Sequence, residues 1–63
     1  MDPIDLKARR TALGLSRKQL AILANVDTAM LQLLEMGLSS DEESRMKAEA
    51  AIVAEELRRS EAN

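Results

Sequence analysis

Apolar residues recur along this chain at helical spacing, in short blocks that end at asparagine or glycine. One block predicts a helix over Arg17–Ala24, because Ser16 is a good N-cap and Gln19, three residues later, completes a capping box. Its apolar positions are Leu20, Ala21, Leu23 and Ala24. Asn25 is predicted to end this helix, since asparagine adopts the left-handed conformation more readily than other non-glycine residues.

A second block follows directly and predicts another short helix over residues 28–36. Asp27 is its expected N-cap, Leu31 and Leu34 lie one turn apart on its buried face, and Gly37 ends it. Two short helices separated by a tight turn are typical of a helix-turn-helix DNA-binding unit.

The remaining pattern predicts one helix on each side of this unit. Asp2 followed by Pro3 is a cap with proline at the first helical position, which predicts a helix over Pro3–Ala12. Strong helix formers without glycine or proline predict a long last helix over residues 41–59. Residues 1–63 are therefore expected to form a single all-α domain of four helices.

The long C-terminal helix has more apolar surface than its neighbours can cover. Ser40 and Glu43 are expected to form a capping box at its start. Its continuous apolar stripe consists of Met46, Ala50, Val53 and Leu57. Three more apolar residues, Ala48, Ala51 and Ile52, lie partly to one side. A helix of this length extends ~27 Å, so we expect its far end to meet a second copy of the chain and assign Val53 and Leu57 to a dimer interface.

The same residues resemble the lambdoid-phage repressor and Cro family of XRE-like helix-turn-helix proteins. The matching positions are Leu6, Arg10, Leu13, Gly14, Leu15, Leu20, Ala21, Asn25, Val26, Leu31, Leu34, Glu35, Met36 and Gly37. The resemblance covers residues 6–37 and implies a lambda-repressor-like fold that binds operator DNA as a homodimer and regulates transcription. It also implies that Arg10 and Glu35 form a structural ion pair.

Two groups of residues are candidates for DNA contact. Ser16, Arg17 and Lys18 open the second helix, where free backbone amides and the helix dipole attract phosphate. The alternative for these residues is a capped, solvated helix start, and Arg9 is a weaker candidate for the same role. Base edges in the major groove would meet Thr28, Ala29, Gln32 and Leu33. Leu33 is unexpected, because the family usually has more polar residues on this surface.

Apolar residues near this surface support a second hypothesis, in which the fold is a protein-binding adaptor or antirepressor. Ile22, Met30, Leu33 and Met36 are apolar at positions where a DNA-binding surface tends to be polar. Exposed patches rich in methionine suit adaptable protein interfaces. Ordinary core packing of Met30 and Met36 is the plain alternative, and the sequence does not decide between them.

Composition excludes several classes of function. The chain has no Cys and no His, so we expect no disulfide, zinc site, thiol nucleophile or imidazole base. Without Phe, Tyr or Trp it has no aromatic platform for unpaired bases. No catalytic constellation is recognisable, so neither an enzyme nor a cofactor is expected. No membrane span or signal peptide is evident, and the expected location is the cytoplasm of a bacterial host cell.

The net charge of −2 is unusual for a DNA-binding protein, because phosphate neutralisation supplies most non-specific affinity. The charge is unevenly distributed. Residues 1–37 carry a net charge of +1 and residues 38–63 a net charge of −3. The acidity therefore belongs mostly to the C-terminal helix and not to the helix-turn-helix unit.

Overall fold

Four helices make up the fold, which is taken from a computed structural model describing residues 3–62, with side chains over residues 5–61. They are α1 (Pro3–Ala12), α2 (Arg17–Ala24), α3 (Thr28–Glu35) and α4 (Glu42–Ala62). The described residues contain no strand. The prediction of a small all-α, four-helix domain is confirmed, whereas the expected cap at Asp2 lies outside the described residues.

The caps predicted around α2 and α3 are present. The backbone N–H of Gln19 donates to Ser16 Oγ over 3.0 Å, and the Ser16 backbone N–H donates to Gln19 Oε1 over 2.7 Å. Asn25 ends α2 in the left-handed conformation, with φ 58° and ψ 45°. The Ala29 backbone N–H donates to the Asp27 carboxylate at the start of α3. The turn between the two helices is therefore three residues long and fixed by its own side chains.

All four helices contribute to one apolar core. Its buried members are Leu6, Leu13, Leu20, Ala21, Ala24, Leu31, Leu34, Ala48 and Ile52. Leu15, Val26, Met30 and Ala51 pack against these residues from the edge. Leu31 and Leu34 are both buried, as their spacing predicts, so α3 is held by one face and its other face is left to solvent.

The bounds of α3 and α4 differ slightly from the prediction. α3 ends at Glu35, and Met36 is its C-cap. α4 begins at Glu42 and continues to Ala62, three residues beyond the expected end. The capping box predicted at Ser40 is wrong, because the first helical backbone bond of α4 runs from the Arg45 N–H to the Asp41 carbonyl over 3.0 Å.

The orientation of α4 also corrects the prediction. Its core side is formed by Ala48, Ala51, Ile52 and Glu55. The stripe of Met46, Ala50, Val53 and Leu57 is exposed along its whole length and not only at its far end. The two sets lie about half a turn apart at 3.6 residues per turn. α4 is thus apolar on two opposite faces, and the other helices cover only one of them.

Candidate nucleic-acid interface

A buried ion pair ties α1 to the end of α3. Arg10 Nε lies 2.7 Å from Glu35 Oε2, and Arg10 Nη2 donates to Glu35 Oε1 over 3.2 Å. Arg10 Nη1 donates to the Leu15 carbonyl over 2.9 Å, which also fixes the chain that enters α2. The Glu35 side chain is 1% exposed. This pair acts as scaffold, because a buried carboxylate is stable only when its charge and lone pairs are matched.

Arg17 is a second cation on the same carboxylate. Its Nε donates to Glu35 Oε1 over 3.2 Å, and its side chain remains 34% exposed. Its two terminal nitrogens have no hydrogen-bond partner among the described residues. Arg17 is the first residue of α2 and Glu35 the last of α3, and no spacing rule links two such positions. The contact was therefore missed from the sequence, which predicted only a phosphate contact for Arg17.

Ser16 and Lys18 lie on either side of Arg17 at the exposed start of α2. The Ser16 hydroxyl accepts the Gln19 N–H, which leaves its own O–H free to donate. Lys18 forms no ion pair within the described part of the chain. The three residues thus place a hydroxyl donor and two cationic groups at one helix N-terminus.

α3 presents an uncharged outer face. Thr28, Ala29, Gln32, Leu33 and Met36 are all exposed, and the last four fall on one side of the helix at spacings of three and four residues. Leu33 is 40% exposed and Met36 58%.

Met30 belongs to a different environment from Met36. It is half-buried against the core, and the Ser39 hydroxyl donates to its Sδ over 3.4 Å. Of the two methionines left open by the sequence, Met30 is largely a core residue and Met36 is a surface residue. Ile22 on α2 is also a surface residue, 70% exposed.

Arg9 is not placed with the basic residues of α2. Its Nε donates to Glu56 Oε2 on α4 over 3.0 Å, and Arg9 Nη2 contacts Glu56 Oε1. The hydrogen bond from Arg9 lowers the pKa of Glu56 and the same bond raises the pKa of Arg9. Arg9 therefore serves as a tie between α1 and α4, which weakens the case for a phosphate contact.

Most positive charge on this chain is already neutralised within it. All nine basic side chains lie within the described side chains of residues 5–61, and seven form ion pairs with acidic side chains of the same chain. Lys7 and Lys18 are the two that do not. Phosphate neutralisation would accordingly come from few residues, chiefly Lys18 and the free edge of Arg17.

The described residues contain no cluster of three or more His, Cys, Asp or Glu side chains that could hold a metal ion. Within residues 3–62 no helix combines the length and apolar character that crossing a membrane requires. Comparison of the chain with family models, curated proteins and solved structures finds no match.

Proposed function

We propose that this protein is a sequence-specific regulator that binds double-stranded DNA as a homodimer and places α3 in the major groove. The observation that carries this proposal is the outer face of α3. Thr28, Ala29, Gln32 and Leu33 are exposed there, while Leu31 and Leu34 fix the opposite face in the core. A short helix held in this way offers side chains to base edges without having to rearrange.

The chemistry of this face suits a particular kind of recognition. The Gln32 amide can donate to and accept from one adenine, and the Thr28 hydroxyl can bond a base or the backbone. Ala29 and Leu33 suit the methyl group of thymine. Specificity would rest on few hydrogen bonds, with apolar contacts and DNA shape supplying the rest.

The start of α2 would position the protein on the DNA backbone. Arg17 is anchored by Nε to Glu35, so its two terminal nitrogens can bind phosphate oxygens from a fixed guanidinium. Lys18 and the Ser16 hydroxyl would add contacts at the same helix end. Occupying an operator in this way would regulate transcription in the cytoplasm of a bacterial host cell, as in the repressors that the sequence resembles.

A binding assay over a salt series tests the proposal. The chain is incubated with a random duplex pool, bound duplexes are selected, and the dissociation constant is measured at several salt concentrations. Arg17→Ala is expected to weaken binding to every duplex and to reduce the salt slope by about 0.9 per protomer. Gln32→Ala is expected to cost ~1–3 kcal/mol on the selected sequence and little on random DNA. The absence of salt-dependent binding to any duplex at low salt would overturn the proposal.

A second function is favoured by the apolar part of the same surface. Leu33 and Met36 are exposed on α3, Leu38 just beyond it is 68% exposed, and no charged side chain lies among Thr28, Ala29, Gln32, Leu33 and Met36. Such a surface also suits a protein partner, as in an adaptor or antirepressor. Met30 is half-buried and would contribute only its exposed edge to this surface. Leu33→Ala separates the two functions. In a DNA-binding protein it relaxes the preference at one base pair, whereas in an adaptor it releases a bound protein and DNA affinity is absent from the start.

A further inference from the structure

The exposed stripe on α4, formed by Met46, Ala50, Val53 and Leu57, has no partner within the described residues. It lies on the side of α4 away from the core and extends about 16 Å along the helix. Met46 is 63% exposed and Leu57 58%. Four apolar positions in one row on an isolated helix face are typical of a helix-to-helix contact.

The stripe is complementary to its own reversed copy. Its steps of four, three and four residues are the same in both chain directions. When a second α4 runs in the opposite direction, Met46 faces the partner's Leu57 and Ala50 faces the partner's Val53. The facing pairs on the two sides of the two-fold axis are then identical, so the side-chain volume is the same on both sides. The small Ala50 lets the two helices approach closely at the centre. A parallel pairing would instead stack alanine on alanine beside leucine on leucine, which packs unevenly.

The helix dipoles of α4 favour the same direction. The two dipoles oppose each other in an antiparallel pairing, whereas a parallel pairing aligns them and brings like ends together. Arg58 and Arg59 take no part in this contact, because they pair with Glu55 on the core side of α4.

The two acidic residues beside the middle of the stripe, Glu49 and Glu56, each lie next to an arginine of the same chain. Arg45 Nε lies 3.8 Å from Glu49 Oε1, and Glu56 is bound by Arg9. These arginines reduce the repulsion that the two carboxylates would exert on a second copy.

We propose that two copies of this chain pair through antiparallel α4 helices, with Met46 on the partner's Leu57 and Ala50 on the partner's Val53. Dimerisation itself belongs to the proposed function, on which this inference builds, but the direction and register of the helices go beyond it. Four side chains per copy cover less than the 1,200 Å² or so of a standard interface, so the dimer is expected to be weak and reversible.

Disulfide cross-linking tests direction and register, since the chain contains no cysteine of its own. Met46→Cys and Leu57→Cys are prepared separately, one with a mass tag, and are oxidised alone and as a mixture without DNA. In the mixture we expect cross-linked dimers that contain one copy of each variant. Either variant oxidised alone should give little cross-linked product. In the antiparallel pairing the two copies of residue 46 lie about 16 Å apart along the helix axis, which is beyond the reach of a disulfide.

Several results would overturn this arrangement. Efficient cross-linking of Met46→Cys alone would show parallel helices, and no excess over a Lys7→Cys control on α1 would show that the stripe does not pair.

Sedimentation adds a second measurement. Val53→Glu is expected to abolish self-association, whereas Ile22→Glu, at an exposed apolar position of α2, is expected to leave it unchanged. If the parent shifts DNA but the two cysteine variants never cross-link, the pairing fails and the DNA-binding proposal stands. If the variants cross-link but the parent binds no duplex, the DNA-binding proposal fails and the pairing stands.

Discussion

At the scale of single residues, the most constrained group is the carboxylate of Glu35. It accepts hydrogen bonds from Arg10 and Arg17, so two positive charges converge on one buried negative charge. Family resemblance predicted the contact with Arg10. The contact with Arg17 could not be predicted, because it depends on how the start of α2 is set against the end of α3. The same contact gives Arg17 a fixed orientation toward solvent that composition alone would not suggest.

Removing one partner of the buried pair is expected to destabilise the fold strongly. Arg10→Met leaves Glu35 with only Arg17, and Glu35→Leu leaves Arg10 buried without a carboxylate, so each should cost ~3–5 kcal/mol in free energy of unfolding. Urea denaturation of both variants and of the double variant measures this. The double variant should lose much less than the sum of the two, because it leaves no unpaired charge at this pair.

An exposed pair on α4 provides the control. Lys47 Nζ lies 3.6 Å from Glu43 Oε1 at the surface, so Lys47→Met should cost under ~1 kcal/mol. Small, additive losses for the Arg10 and Glu35 variants, of the size seen for Lys47→Met, would contradict the assignment of this pair as scaffold.

At the scale of helices, the sequence predicts the helix bounds, because neighbouring residues in the chain determine them. The bounds of α1 and α2 and the left-handed Asn25 follow from caps, proline and turn residues, and the structure agrees with them. Which face of α4 is buried depends on tertiary packing instead. Its sequence offers two apolar faces about half a turn apart, and the larger side chains are on the exposed one. The core face holds Ala48 and Ile52, and α4 packs mainly against α2, which pattern alone does not reveal.

Neighbouring residues of α4 are therefore expected to respond very differently to truncation. Ile52 is fully buried, so Ile52→Ala should cost ~2–5 kcal/mol from lost burial and the cavity left behind. Val53 is 42% exposed, so Val53→Ala should cost under ~1 kcal/mol. The measurement is urea denaturation at a protein concentration where the parent is monomeric. A larger loss for Val53→Ala than for Ile52→Ala would mean that α4 packs on the core by its other face.

At the scale of the whole molecule, ion pairs surround a small core without aromatic side chains. Arg9 and Glu56 join the first helix to the last, and Arg58 and Arg59 lie beside Glu55 on α4. Hydrogen bonds from these arginines lower the pKa of both glutamates. The same pairing uses most of the positive charge of the chain, so few basic side chains are left to bind phosphate if the proposed function is right.

Stability is accordingly expected to fall in acid. A glutamate with a lowered pKa in the folded state binds fewer protons there than in the unfolded chain, so its contribution is complete above the ordinary value of about 4.3 and is lost as the pH falls through the folded value. The melting temperature should therefore be nearly constant from neutral pH to slightly above that value and decrease below it.

Glu56→Gln removes one of the two groups, and its melting temperature should be lower than the parent's at neutral pH but should fall less steeply in acid. Glu61→Gln is the control, since Glu61 is exposed and forms no ion pair among the described residues, so this variant should follow the parent. A melting temperature that rises on acidification, or that falls equally steeply in Glu56→Gln, would show that the tie between α1 and α4 contributes nothing to the folded state.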